Sequence, residues 1–224
     1  PDVEGGDHPP NPDWIEKMGP ARSQLQTRMS HQPEVFDVVR DMRRVTDAYP
    51  GRVLIGETAG TLEQVMRYYG DDLDLFHLPF YFAMLTTPWI AGKIAALIEQ
   101  YEAALPAGAW PSHVLGNHDI SRIASRAGPA QARVAATLLL TLRGTPTLYQ
   151  GDELGMVDTP IPPERVQDPW EKRVPGLGLG RDPARTPMPW QPGARGGFSI
   201  SEPWLPLHLP PDGDVETQST DLSS

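Results

Sequence analysis

The sequence predicts an α/β fold with parallel strands. Three features carry that reading: helical and extended patterns alternate from residue 33 to residue 155, the strand candidates are short apolar runs bounded by Gly and Pro, and three of them end in polar side chains. Strands alternating with helices form βαβ units, and parallel α/β folds bind ligands at the carboxyl ends of their strands.

The elements follow in order. Pro33 suits a first helical position, and Val35, Val38, Val39, Met42 and Val45 recur at helical spacing, so a helix is expected over 33–48 with those residues on its apolar face. Tyr49-Pro50-Gly51 breaks it. Arg52-Val53-Leu54-Ile55-Gly56-Glu57 reads as a strand closed by a carboxylate, 62–69 as a helix, and 73–78 as a second strand. A long helix is expected over 88–105, with Ile94, Leu97, Ile98, Tyr101 and Leu105 on one face. His113-Val114-Leu115-Gly116 reads as a third strand ending in Asn117-His118-Asp119, 129–142 as a helix, and 145–149 as a fourth strand running into Gln150, Asp152 and Glu153. After residue 155 the periodicity stops. Residues 156–224 read as a long loop rich in Pro, Arg, Asp and Trp, and a loop of that length is functional or disordered.

Composition narrows the function. The 224 residues hold 19 Lys and Arg against 29 Asp and Glu, a net charge of −10, which disfavours nucleic acid as a partner. The stretch 198–224 carries Glu202, Asp212, Asp214, Glu216 and Asp221 with no base. No apolar run reaches the length of a membrane span, and no signal-like N-terminus is present. With no Cys, disulfides and thiolate metal sites are excluded, and a cytoplasmic setting is the default expectation. The six His show no zinc-site spacing, and Gly176-Leu177-Gly178-Leu179-Gly180 lacks the strand and helix of a dinucleotide loop. No metal and no cofactor is expected. The loop-like residues 1–12 and 210–224 fit either a piece of a longer chain or a domain with two tails.

The polar strand ends suggest glycosidic chemistry. Cleaving a glycosidic bond takes one carboxylic acid to protonate the leaving oxygen and a second carboxylate beneath an oxocarbenium-like centre. Glu57, after an apolar run, suits the acid; a solvated strand-end Glu is the bland alternative. Asn117, His118 and Asp119 offer donors and acceptors for paired sugar hydroxyls, unless Asp119 only caps the next turn.

These residues resemble the second half of the catalytic barrel of the α-amylase superfamily, glycoside hydrolase family 13, in its α-glucosidase and oligo-1,6-glucosidase branch. The resemblance rests on Arg52–Glu57, on Leu115-Gly116-Asn117-His118-Asp119, on the stretch from Gly144 to Met156, and on Arg181-Asp182-Pro183-Ala184-Arg185-Thr186-Pro187-Met188-Pro189-Trp190 with Val166-Gln167-Asp168-Pro169. It implies a partial (β/α)8 TIM barrel, strands five to eight, with 1–155 as the C-terminal half of the barrel domain and 156–224 as a substrate-covering loop and acidic tail. It implies Glu57 as acid/base, Asp119 as transition-state stabiliser, and α-glucoside oligosaccharides as substrate. His118 and Asn117 would touch sugar hydroxyls. Arg122 would pair with a cleft carboxylate or a surface one. Arg185 would line the glucose pocket or pair with Asp182. Phe80 and Phe76 would stack on sugar or fill the core.

The family's fourth-strand motif, Asp-Gly-Phe-Arg-x-Asp, is missing here, and with it the nucleophilic Asp. A retaining α-glucosidase fragment, inactive alone, is therefore expected. A non-catalytic scaffold of the same fold, or a sibling glucosyl transferase or isomerase, is the alternative. A half barrel also leaves strand edges open at Val53–Ile55 and Thr147–Tyr149, so self-association is expected.

Overall fold

The computed structural model describes residues 8–25, 27–191 and 195–207; His208 and the acidic residues Asp212, Asp214, Glu216 and Asp221 lie outside them. The chain divides into two compact units, the first comprising 1–114 with 143–146, the second 115–142 with 147–224.

In the first unit, helix α1 spans Pro33–Asp47, with Pro33 in its first turn. Its contacts follow the expected apolar face only in part. The side facing the unit is carried by Arg40, which bonds Asp74 at 2.5 Å, and by Arg43, which donates to the carbonyls of Leu73 and Leu75 at 2.9 and 3.0 Å. Phe36 lies 5.0 Å from the Tyr68 ring, and of the expected apolar face Val39 alone is buried. Val38, Met42, Val45 and Tyr49 form an outward stripe, 47–64 % exposed.

Strand β1 (Ile55–Gly56) pairs in parallel with β2 (Leu78–Pro79), Ile55 opposite Leu78. Both are shorter than the sequence suggests. Leu73 sits in the left-handed region at φ 55°, and the N–H groups of Leu75 and Phe76 bond back to Tyr69 and Tyr68, so 73–77 turns instead of extending. The Phe76 ring lies on β1: a Cβ at Gly56 would stand 2.3 Å from it, so only glycine fits there.

Helix α2 (Leu62–Met66) starts from a reciprocal cap. Thr61 Oγ1 accepts from Gln64 N, and Gln64 Oε1 accepts from Thr61 N. A tight turn over Arg67–Tyr69 prolongs it, filling the expected span. A short helix α3 (Ala83–Thr86), absent from the sequence reading, precedes α4 (Ala91–Ala104), which buries Ile94 and Tyr101 as expected. The Tyr101 hydroxyl accepts from Ser112 N at 3.2 Å, and Tyr69 donates to Trp110 O at 2.9 Å. These bonds tie α4 to β3 (Ser112–Val114) and the α2 turn to the segment just before it. Strand β3 pairs with β4 (Thr145–Thr147), whose first two residues also lie in the first unit. Among the described residues the strands thus form two separate pairs, not one continuous sheet.

In the second unit, α5 (Ile123–Ala127), not read from the sequence, packs on α6 (Pro129–Thr141). Helix α6 buries Ala132, Ala135 and Leu139 at helical spacing. Among the described residues, the stretch after residue 147 forms short 3-10 turns and one helix, α7 (Pro169–Arg173). It is irregular, as expected, but it carries buried anchors: Met156, Ala184, Met188 and Leu205. No helix among the described residues is long and apolar enough to cross a membrane.

Candidate active site

Glu57 and Phe80 belong to the first unit; Asn117, His118, Asp119, Arg122 and Arg185 belong to the second. Glu57 follows β1 directly and is exposed; Val53 and Ile55, its expected apolar neighbours, are themselves 59 % and 50 % exposed. Beside it Thr58 is buried, its hydroxyl donating to Phe80 O at 2.8 Å. Phe80 stacks on Phe82 at 5.6 Å, and its N–H bonds Gly56 O, so its backbone is part of the β1–β2 exit.

The second-unit site starts from buried backbone. Leu115 is 2 % exposed, and Gly116 leaves room for the Asp152 carboxylate, 2.9 Å from where a Cβ would stand. Asn117 Oδ1 then accepts from the N–H groups of Asp119 and Ile120, both at 3.0 Å. This Asx turn commits the side-chain oxygen to shaping the backbone. It presents His118, 54 % exposed, and Asp119 to solvent.

Asp119 Oδ1 is held three ways. Arg185 Nη2 donates at 2.8 Å, Arg181 Nη1 donates at 3.0 Å, and His118 Nε2 lies 3.4 Å away. Arg185 Nε also donates to His118 O at 2.7 Å, so one guanidinium fixes both residues of the turn. Asp119 Oδ2 takes no hydrogen bond among the described residues. The open oxygen is an acceptor ready for a hydroxyl donor.

Arg181 is itself anchored. Its Nε and Nη2 make a two-pronged pair with Asp168 at 2.8 and 3.0 Å, its backbone N–H bonds the same carboxylate, and its guanidinium lies 5.4 Å above the Trp170 ring. The Asp168 side chain is fully buried. The Arg181 bond holds its carboxyl well below the usual carboxylate range, and Asp168 raises Arg181 in turn. Asp182 completes the support: its Oδ2 accepts from Gln167 N at 2.6 Å and Asp168 N at 2.9 Å.

Two sequence expectations need correction in detail. Arg185 pairs with Asp119 and not with Asp182, whose carboxylate serves backbone N–H groups. Arg122 is in no ion pair among the described residues, at a cleft or at the surface. It is fully buried over the Tyr149 ring, donating Nη1 to Gln150 O at 2.6 Å, with Nε and Nη2 unpartnered. Burial lowers its pKa. Asn117 turns its oxygen to the backbone. The pairing of Arg181 with Asp168 carries no signal in the sequence: a carboxylate and guanidinium thirteen residues apart in an aperiodic loop give no pattern to read.

A carboxylate presented by a strand-exit turn and clamped by arginines, on an α/β scaffold, belongs to a defined class. The chain is a member of the alpha-amylase catalytic-domain family, whose model matches residues 6–218. Within it, the chain is 33 % identical over 214 residues to the salivary alpha-glucosidase of Anopheles gambiae, covering 90 % of this chain and 35 % of the relative. It is 36 % identical over 186 residues to the alpha-glucosidase of Apis mellifera, covering 77 % and 31 %. The oligo-1,6-glucosidase of Parageobacillus thermoglucosidasius is 28 % identical over 212 residues, covering 79 % and 38 %. The chain therefore spans about a third of the length of the curated relatives it matches. Among solved structures, the alpha-glucosyl transfer enzyme XgtA superposes with a TM-score of 0.77 at 34 % identity, over 84 % of this chain and 36 % of that one. The trehalulose synthase MutB from Pseudomonas mesoacidophila MX-45 gives 0.67 at 26 %, over 81 % and 39 %. The α/β barrel-type fold and the glucosidase branch expected from the motifs both hold.

Proposed function

We propose that this chain carries part of the sugar site of a retaining α-glucosidase acting on terminal α-linked glucose of oligosaccharides. The observation that carries the reading is the Asp119 carboxylate, with Oδ1 clamped by Arg181 and Arg185 and Oδ2 open beside an exposed His118. Asp119 accepts from sugar hydroxyls, in bonds that strengthen as the ring approaches an oxocarbenium ion. His118 supplies a donor alongside it. Arg185 sets the angle of the carboxylate rather than lining the pocket alone, and Asn117 shapes the turn. Glu57 is assigned the proton transfer to and from the glycosidic oxygen. The nucleophilic carboxylate of the two-carboxylate mechanism has no counterpart in this sequence, so the polypeptide by itself binds without turning over.

The test uses the chain as given. Titration with 1-deoxynojirimycin, a cationic glucose mimic, should show weak binding, reduced about tenfold in Asp119→Asn, the loss expected for one charge-assisted hydrogen bond. No 4-nitrophenol should appear from 4-nitrophenyl α-glucoside. Equal binding by Asp119→Asn would overturn the site, and turnover abolished by Glu57→Gln would overturn the missing nucleophile. The likeness to an alpha-glucosyl transfer enzyme at 34 % identity supports a second reading, in which the intact enzyme delivers glucose to a hydroxylated acceptor instead of water.

A further inference from the structure

Beyond the Asp119 clamp, the second unit holds a cavity that the glucosidase reading leaves unused. It has a volume of about 530 Å³, within the range of small-molecule sites. Its walls are apolar: Ile161, Pro163, Val166 and Pro183 contribute side chains. One rim is the strap around Gly176, Gly178 and Gly180, held in place by Glu171, whose Oε1 accepts from Gly176 N at 2.8 Å and Oε2 from Gly180 N at 3.1 Å. Both Glu171 oxygens are thus already bonded. A Cβ at Gly176 or Gly178 would meet nothing within 4 Å, so the strap leaves open space beside it.

One carboxylate in this lining has an unspent oxygen. Asp182 lines the cavity and is 3 % exposed. Its Oδ2 accepts two backbone N–H groups, while Oδ1 bonds no described residue and is not among the sealed, unpartnered atoms of the interior. A buried carboxylate oxygen left open in an apolar cavity calls for a hydrogen-bond donor, and a charged one satisfies it best. The remaining charge in the lining is Lys172, in no ion pair among the described residues, so with Glu171 and Asp182 the lining is net negative.

We propose that this cavity is a binding site for a small molecule with an apolar body and a protonated amine, the amine on Asp182 Oδ1 and the body against Ile161, Val166 and Pro183. The cavity shares Asp182 with the support of the Asp119 clamp, but it uses the other carboxylate oxygen and no glycoside chemistry, so its ligand test reads separately from the glucosidase reading.

Ligand-observed NMR with the full chain tests it, using benzylamine, benzyl alcohol and benzoate as probes of one shape and three charges. Benzylamine should bind with a Kd on the order of 1 mM or tighter, and the other two about tenfold more weakly. Asp182→Asn should erase the preference for the amine. Because Asp182 also holds the loop backbone, Val166→Trp provides a second variant: it fills the cavity and should abolish benzylamine binding while leaving the thermal transition in place. No benzylamine binding, equal binding of the alcohol or of benzoate, or unchanged binding by Val166→Trp would each overturn the proposal.

Discussion

Helix α1 and the loop from residue 156 to 190 exchange the roles their sequences suggest. The helix has the cleanest apolar period in the chain, yet it turns Val38, Met42, Val45 and Tyr49 outward and meets its unit through two arginines. The loop has no period and reads as filler, yet it buries Asp168 and Asp182 and fixes the carboxylate of the candidate site. Periodicity reports that a helix has an apolar face; it does not report what covers that face. Order in the loop comes from carboxylates accepting backbone N–H groups, which leaves no repeating signature.

The largest effect separating the two regions is expected from Asp168→Asn. Neutralising the buried Asp168 strips Arg181 of its two-pronged partner and leaves it only the single bond to Asp119, and chemical denaturation should show a loss of about 2–3 kcal/mol. Met42→Ala on the outward stripe should change stability by less than about 0.5 kcal/mol. Comparable losses would break the contrast.

Next in size is Tyr101→Phe, which strips Ser112 N of its acceptor inside the first unit. A buried donor left unmade costs about 1–2 kcal/mol, again readable by denaturation. A neutral result would mean that β3 is not tied to α4 by this hydroxyl.

The outward stripe has a different readout. Its rim is charge-balanced, Arg40 pairing with Asp37 and Arg44 with Asp41, so two copies can meet on it without repulsion. Sedimentation should show association of the chain, diminished in the double variant Met42→Lys, Val45→Glu with little change in folding stability. A monomer at all concentrations would remove the stripe's role.

The smallest effect is a divergence with pH. His113 is buried, and burial lowers its pKa; His77 is lowered too, and its Nδ1 accepts Leu54 N at 2.9 Å, a bond that protonation there destroys. A histidine with a depressed folded pKa binds fewer protons folded than unfolded. Its contribution is therefore complete above about pH 6.5 and fades as pH falls below that. Asp168, also depressed, contributes above about pH 3.9 and is lost only on further acidification. Hydrogen exchange between pH 7 and 5 should accelerate around Leu54 and β3 after correction for intrinsic rates, and stay level around 167–181. Equal acceleration would erase the distinction.

Much of this was legible in advance. The spans of α1, α4 and α6 follow from apolar spacing and Pro positions, and the motif resemblance brought out His118, Asp119 and Arg185. The strand expected over 73–78 shrinks to Leu78–Pro79 because Leu73 takes a left-handed conformation that no neighbour announces. The small helices α3, α5 and α7 are too short to show a period. The sequence suggests an ion pair for Arg122, since charge is visible in a sequence and full burial over a tyrosine ring is not. Arg181 and Asp168 escaped because their partnership exists only once the loop has closed.

That closure also sets a timetable. Asp119 is made 62 residues before Arg181 and 66 before Arg185. During synthesis from the N-terminus, the Asn117 turn can form locally while its carboxylate has nothing to hold it. The candidate site therefore matures only after residue 185 is made: its shape waits for the loop that carries Arg181 and Arg185 to arrive and fold back, and a ribosome paused within the loop would display the acidic residue without its clamp.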